Sequence, residues 1–223
     1  MVRAAHIEAK SRLPPKVARA AVPPQGAMAA SLAELPTLIN GCRRCDLWRN
    51  ATQGVPGMGP GQARLMLVGE QPGDQEDLAG EPFVGPAGQV LNRALSQAGV
   101  PREETFVTNA VRHFKHELRG KRRLHKTPDG GEVAACRWWL DEERRLVRPR
   151  LILAMGGTAA LSVFGKAMPI GKNRGVVFQL DDQAQAMITV HPSYLLRIPD
   201  KAAKEEGFAK FVEDLALAWK RAA

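Results

Sequence analysis

Four short apolar runs punctuate the chain: Leu65-Met-Leu-Val68, Thr105-Phe-Val-Thr108, Leu151-Ile-Leu-Ala-Met155 and Met187-Ile-Thr-Val190. Runs of four or five residues bounded by turn formers predict buried strands. Between and after them, segments near 87–97, 132–147, 158–164 and 203–220 carry apolar residues at helical spacing. Strands that alternate with helices predict a parallel sheet covered on both faces. The expected fold is therefore α/β, a three-layer αβα sandwich around a four-stranded, mainly parallel central sheet. Residues 175–180 alternate well enough to add an extra edge strand. Ser31 is expected to cap a short helix over 32–39, Thr158 to cap the helix after the third run, and Pro149 to stop the helix over 132–147.

Residues 1–28 lack this patterning. They are rich in Ala, Pro, Arg and Lys with Glu8 the only acid, and the pairs Pro14-Pro15 and Pro23-Pro24 deny them a continuous helix. The expected organisation is a basic leader over 1–28 and a single domain over 29–223. No apolar run reaches the roughly 18 residues of a membrane span, and the N-terminus carries no apolar signal region. A cytoplasmic, bacterial-type monomer is the expectation. Lys and Arg number 32 against 23 Asp and Glu, a net charge of +9 that favours an anionic partner, nucleic acid above all. Three cysteines are an odd number, which argues against a disulfide framework and suits a metal or cluster site in a reducing compartment.

The chemistry gathers after the first strand, in the segment Gly69-Glu-Gln-Pro-Gly-Asp-Gln-Glu-Asp-Leu-Ala-Gly-Glu-Pro-Phe-Val-Gly-Pro-Ala-Gly88. Its glycines permit a close backbone approach to a ligand, yet it is neither a dinucleotide fingerprint nor a P-loop. A phosphate cradle holding Glu70, Asp74, Glu76 and Asp77 would repel its own ligand. Ligands of open α/β sheets sit at the carboxyl ends of the strands. Here those ends carry Glu70-Gln71, Asn109, Gly156-Gly157 and His191 to Ser193. Phe83 supplies a flat apolar wall, Asn109 can read a heterocycle edge with one donor and one acceptor, and His191 can stabilise charge on a leaving group.

With these residues in view, the chain from Cys42 to the last helix resembles the uracil-DNA glycosylase superfamily, nearest its iron–sulfur branch, family 4. Gly69-Glu-Gln-Pro-Gly73 is similar to the first catalytic motif, and Glu81-Pro-Phe-Val-Gly-Pro-Ala-Gly88 to the uracil-stacking loop. Thr108-Asn109 resembles the uracil-reading position, and His191-Pro-Ser-Tyr-Leu-Leu-Arg197 the final motif, whose loop meets DNA. The resemblance implies that a deoxyuridine is swung out of the stack into this pocket, with Gly69, Gln71, Asp74, Phe83, Asn109 and Ser193 around the base.

Two departures resemble the UdgX-type branch, which binds uracil-DNA and becomes covalently attached through a histidine in a Lys-Arg-Arg-Ile-His loop. Gln71 stands where family 4 generally has alanine or glycine, and the run Lys121-Arg-Arg-Leu-His-Lys126 is inserted after Asn109. The attacking histidine falls on His125, with Glu70 holding or deprotonating it and with Gln71 and His191 completing the catalytic set. Lys121, Arg122, Arg123, Lys126 and Arg197 are the expected DNA contacts.

Cys42-x2-Cys45 and Cys136 supply three thiolates, one short of a full cluster site. The resemblance places the fourth ligand on His113, where family 4 has cysteine, and implies a structural [4Fe-4S] cluster. Zinc on the same donors stands as the alternative, as does His116 in place of His113.

Overall fold

The computed structural model describes residues 28–180 and 184–223. The basic leader lies, but for Met28, outside the described residues. Five strands form the central sheet in the order β2-β1-β5-β7-β6. They are β1 (Leu65–Gly69), β2 (Thr105–Asn109), β5 (Leu151–Met155), β6 (Phe178–Gln179) and β7 (Gln185–Thr189). Strands β2, β1, β5 and β7 are parallel, and β6 joins β7 antiparallel at the edge. The sheet is thus one strand wider than the four core runs alone, through the edge strand that 175–180 supplies.

Alternation along each strand divides the apolar side chains between two layers. Leu65, Leu67, Leu153 and Met187 face one way, against α3 (Pro86–Gln97) and α8 (Lys201–Ala222). Met66, Val68, Ile152 and Ile188 face the other way, with Leu140 of α4 (Gly130–Val147) and Val163 of α5 (Gly157–Phe164). A five-residue strand spans about 17 Å, so each delivers its last residue to one rim of the sheet.

Local chemistry shifts several boundaries. Helix α4 begins at Gly130 because Asp129 and Glu132 form a reciprocal capping box: Asp129 Oδ1 accepts from Glu132 N at 3.0 Å, and Glu132 Oε2 from Asp129 N at 2.8 Å. The helix ends at Val147, with Arg148 left-handed, before Pro149. Ser31 occupies a cap position without a side-chain cap bond, and the segment it opens is a 3-10 turn, Leu32–Glu34, followed by α1 (Leu35–Asn40). Thr158 is not a cap either. Gly156 holds that place at φ +96°, leaving the Thr158 hydroxyl free to turn into the site.

The acidic loop after β1 contains a helix that spacing did not foretell, α2 (Asp74–Ala79). The basic segment 112–126 is also ordered. Arg112 is fully buried, and residues 116–125 fold into a hairpin of β3 (His116–Arg119) and β4 (Arg122–His125). Gly120 takes φ +62° at the first turn position, as a tight two-residue hairpin turn requires. The remaining α-helices among the described residues are α6 (Ile170–Asn173) and α7 (Pro192–Leu196).

Candidate active site

The carboxyl ends of β1, β2, β5 and β7 open into one cavity of 960 Å³, and the hairpin closes its side. Glu70, Gln71, Asp74, Phe83, Asn109, His125, His191, Ser193 and Arg197 all line it. The volume sits at the upper end of the usual ligand-pocket range.

The floor is built by subtraction. A Cβ on Gly69 would stand 2.4 Å from Asn109 Oδ1 and 2.5 Å from Phe83 Cζ, so only glycine lets these two side chains meet. Asn109 is 2 % exposed, and its amide has no hydrogen-bond partner among the described residues. A buried amide left open in this way is a recognition group waiting for a complementary edge. Phe83 is held at φ +60°, a strained conformation for an aromatic residue. Gly88 makes this possible, because a Cβ there would fall 1.7 Å from the Phe83 carbonyl oxygen. Glu76 ties the two loops together, accepting from Gly85 N at 2.7 Å and Gly73 N at 3.1 Å. Glu76 is not among the site residues expected from the sequence, because its bonds to Gly73 and Gly85 depend on how the two loops fold together.

His191 forms the opposing wall, its ring centroid 6.0 Å from that of Phe83. Ser193 N donates to His191 Nδ1 at 3.2 Å, and the Ser193 hydroxyl lies 2.8 Å from the same nitrogen. An accepting Nδ1 fixes the tautomer with the proton on Nε2. Burial pushes the pKa of His191 down to about 4, so the imidazole is a neutral donor at neutral pH. Arg197 reaches the Ser193 hydroxyl at 3.2 Å from the outer side.

Across the cavity, His125 Nε2 stands 3.0 Å from Glu70 Oε1, and Thr158 Oγ1 donates to Glu70 Oε2 at 2.9 Å. Burial pushes the Glu70 carboxyl upward, but the bonds from His125 and Thr158 and the two nearby imidazoles outweigh it and hold its pKa below the usual range. A carboxylate that orients a histidine is the arrangement by which hydrolases ready an imidazole.

Gln71 fixes the hairpin that carries His125. Its Oε1 accepts from Lys115 N at 3.0 Å, and its Nε2 donates to the carbonyls of Lys126 at 3.0 Å and Lys115 at 3.2 Å. Lys115 and Lys126 flank the two hairpin strands and bond each other, Lys126 N to Lys115 O at 2.9 Å. Arg123 makes a second attachment. Its guanidinium donates to Asp74 Oδ1 at 2.6 Å, Asp77 Oδ2 at 2.5 Å and Thr52 Oγ1 at 3.1 Å. Of the five cations assigned to DNA, Arg123 is thus committed to the protein, and Lys126 pairs with Glu117 at 2.9 Å. Lys121 and Arg122 are exposed at the hairpin turn.

Behind the pocket, Arg112 joins the base-reading strand to the thiols. It bonds Thr108 Oγ1 and pairs with Glu143 at 2.8 Å, both partners of that ion pair fully buried. Its backbone N donates to Cys136 Sγ at 3.2 Å, while Trp139 Nε1 donates to Cys42 Sγ at 3.2 Å. Burial pushes the Cys136 thiol up to about 12, with Cys45 and Cys42 close enough to add to the shift. Burial also raises Cys45 and lowers His113 to about 4. His113 Nε2 lies against Gly54, and the ring feels the charges of Asp77 and of Arg43, which lies between Cys42 and Cys45. Among the described residues no three His, Cys, Asp or Glu side chains gather as one metal ion requires. A lone tetrahedral ion needs its donors about 2.0–2.3 Å from one point, whereas a cluster meets its ligands at separate irons. Desolvated thiols with N–H donors aimed at sulfur fit a cationic cluster, which reverses the cost of ionising them.

The family described as the uracil DNA glycosylase superfamily matches residues 56–216. A type-4 uracil-DNA glycosylase of Pyrobaculum aerophilum is 37% identical over 193 residues, 83% of this chain and 92% of that protein. A type-4 uracil-DNA glycosylase of Archaeoglobus fulgidus is 32% identical over 192 residues, 83% of this chain and 93% of its own. One from Thermotoga maritima is 37% identical over 161 residues, covering 71% and 80%. With most of its length matched in this way, the chain belongs to the uracil DNA glycosylase superfamily.

Proposed function

We propose that this protein excises uracil from DNA and is captured by the resulting sugar through His125, acting as a single-turnover uracil-DNA binding protein in DNA repair. The observation that carries the reading is the His125 imidazole, seated 3.0 Å from Glu70 at the edge of a pocket whose other walls suit a pyrimidine. The reading begins with a deoxyuridine swung out of the stack. Phe83 lies along the face of the base, and the open Asn109 amide pairs with its edge. His191 Nε2–H donates to the uracil oxygen that gains charge as the C1′–N1 bond breaks. The bonding electrons leave with uracil, and the sugar becomes an oxocarbenium ion.

His125 Nε2 is the ring nitrogen beside Glu70, so in this reading it is the one that donates to the carboxylate and Nδ1 is the one that offers a lone pair. That lone pair forms the new bond to C1′, and the Nε2 proton passes to the Glu70 carboxylate. The product is a neutral N-alkyl imidazole, a poor leaving group, so the protein stays attached. Gln71 acts as a positioning residue here, since its amide is spent on the hairpin foot.

The same proposal includes a [4Fe-4S] cluster on Cys42, Cys45, Cys136 and His113. When bound, it cross-links the Cys42–Cys45 loop, the segment carrying Asn109 and helix α4, a structural service that leaves catalysis to the pocket. A monomer suffices, because every group invoked comes from one chain. Among the described residues no helix is long and apolar enough to cross a membrane.

The names of the relatives favour a second reading, a type-4 enzyme that turns over, with water attacking C1′ and His125 only touching DNA. A denaturing gel after incubation with a uracil-containing single strand separates the two. A shifted band that survives heat and detergent supports capture; free abasic product in excess of protein supports turnover.

A further inference from the structure

Among the described residues, the His125 side chain has one polar anchor. It is half exposed, and its contact with Glu70 Oε1 at 3.0 Å uses Nε2 alone. One hydrogen bond leaves a ring free to swing about the N–H···O axis. Capture needs Nδ1 aimed at a single carbon, and such aim requires a second constraint.

The hairpin register supplies a neighbour for it. Lys126 N donates to Lys115 O, which makes 115 and 126 a hydrogen-bonded pair. Hydrogen-bonded and open pairs alternate along an antiparallel ladder, so the next pair, His116 opposite His125, is an open one. In open pairs the Cα atoms approach to about 4.5 Å and the side chains stand closest.

His116 is itself fixed at two points. Its ring stacks on that of Phe114, with centroids 4.9 Å apart and planes at 26°. Its Nδ1 lies 3.3 Å from Phe114 O, and since a carbonyl only accepts, that nitrogen is the donor. Phe114 is 2% exposed, so the platform under His116 belongs to the protein body. The same ring reaches two further members of this hairpin face. Its centroid is 6.3 Å from that of His125 and 5.5 Å from the Arg123 guanidinium carbon. Buried aromatic, fixed imidazole and half-exposed imidazole thus stand together, with Glu70 on the other end of the last.

We propose that His116 is a positioning residue for capture: anchored on Phe114, its imidazole backs the His125 ring and keeps Nδ1 turned towards the sugar while Glu70 holds Nε2. The inference rests on the covalent reading of the site and deepens it. His116 acts through His125 and touches neither uracil nor sugar.

Single-turnover reactions of full-length protein in excess over a uracil-containing single strand test it, with released uracil, adduct and free abasic DNA all measured. His116→Ala should release uracil at close to the wild-type rate. Its ratio of free abasic DNA to adduct should rise about tenfold, because water reaches C1′ before a swinging imidazole does. His116→Phe keeps a ring on Phe114 and should restore the wild-type ratio. Hydrogen exchange at Lys126 N, which bonds Lys115 O, reports on the hairpin itself and should stay as slow in His116→Ala as in wild type. An unchanged ratio in His116→Ala, or no restoration by His116→Phe, would overturn the proposal. So would a raised ratio accompanied by fast Lys126 exchange, which would make His116 a brace of the hairpin instead of the ring. Wild-type protein that releases uracil and forms no adduct would defeat the covalent reading and the proposal with it, a failure visible without any variant.

Discussion

Gln71 Nε2 donates to the Lys126 carbonyl at 3.0 Å, joining a residue two positions past the end of β1 to the one that follows His125. With its two bonds to Lys115, this amide closes the hairpin foot. Each such bond contributes about 1 kcal/mol net, so losing three frees the hairpin without dismantling the pocket. Gln71→Ala should cut the rate of adduct formation about tenfold or more while uracil release persists. Gln71→Glu should not rescue it, because a carboxylate keeps only the bond from Lys115 N and meets two carbonyls with repulsion. Quench-flow on a single uracil strand measures both rates, and an unchanged adduct rate in Gln71→Ala would remove this residue from the mechanism.

Asn109→Ala replaces the open amide on the pocket floor with a methyl group. The bound base edge then stays unpaired, at a cost of about 1–3 kcal/mol in binding and reaction. Phe83→Ala should weaken binding by about 1–3 kcal/mol through lost stacking. Single-turnover rates on uracil-DNA check both, and wild-type rates would sink the base-reading assignment.

His191 should make the protein acid-sensitive in a defined window. Its pKa is lowered to about 4 in the fold, against about 6.5 in an unfolded chain. As pH falls, the unfolded chain binds this proton first, so stability declines from about pH 6.5 towards 4 and levels off below. Protonation also breaks the Ser193 N–H bond to Nδ1, since that nitrogen would have to donate. Urea midpoints for wild type and His191→Gln at pH 7 and pH 4.5 isolate the effect. The wild type should lose more stability on acidification, and parallel losses would show that His191 titrates normally.

The thiol site predicts iron. Protein purified without oxygen should be brown and contain iron and acid-labile sulfide, about four of each per chain. Cys136→Ser should lower both contents together. Stoichiometric zinc without iron, by elemental analysis, would reject the cluster.

Much of this architecture is written in the chain because strands and their ends are local signals. The run Leu65 to Val68 reads as a buried strand whatever surrounds it, and Glu70, Asn109 and His191 are then placed by topology alone. What escaped depends on side chains that meet across long separations. Thr158 looked like a helix cap, yet its hydroxyl serves Glu70, 88 residues away. Arg123 looked like one more surface cation in a basic run, and only the position of α2 turns it towards Asp74 and Asp77. Arg112 sits in the same run but is drawn into the core by Glu143, 31 positions later. The hairpin was missed because its strands are mostly polar on both faces, so alternation gives no signal.

The central claim is the bond between His125 and the sugar, and mass spectrometry of the digested complex tests it most directly. Trypsin cuts after Arg123 and Lys126, so the adduct should appear as the tripeptide Leu124-His125-Lys126 carrying a deoxyribose-linked nucleotide fragment. His125→Ser should yield no adduct and should release uracil over repeated turnovers, with water reaching C1′ through the space vacated. Glu70→Gln should also lose the adduct, since nothing then orients the imidazole or accepts its proton. The account predicts the sugar on His125 in wild-type protein. Its appearance on His191, on Lys126 as a reducible Schiff base, or on no peptide would contradict it.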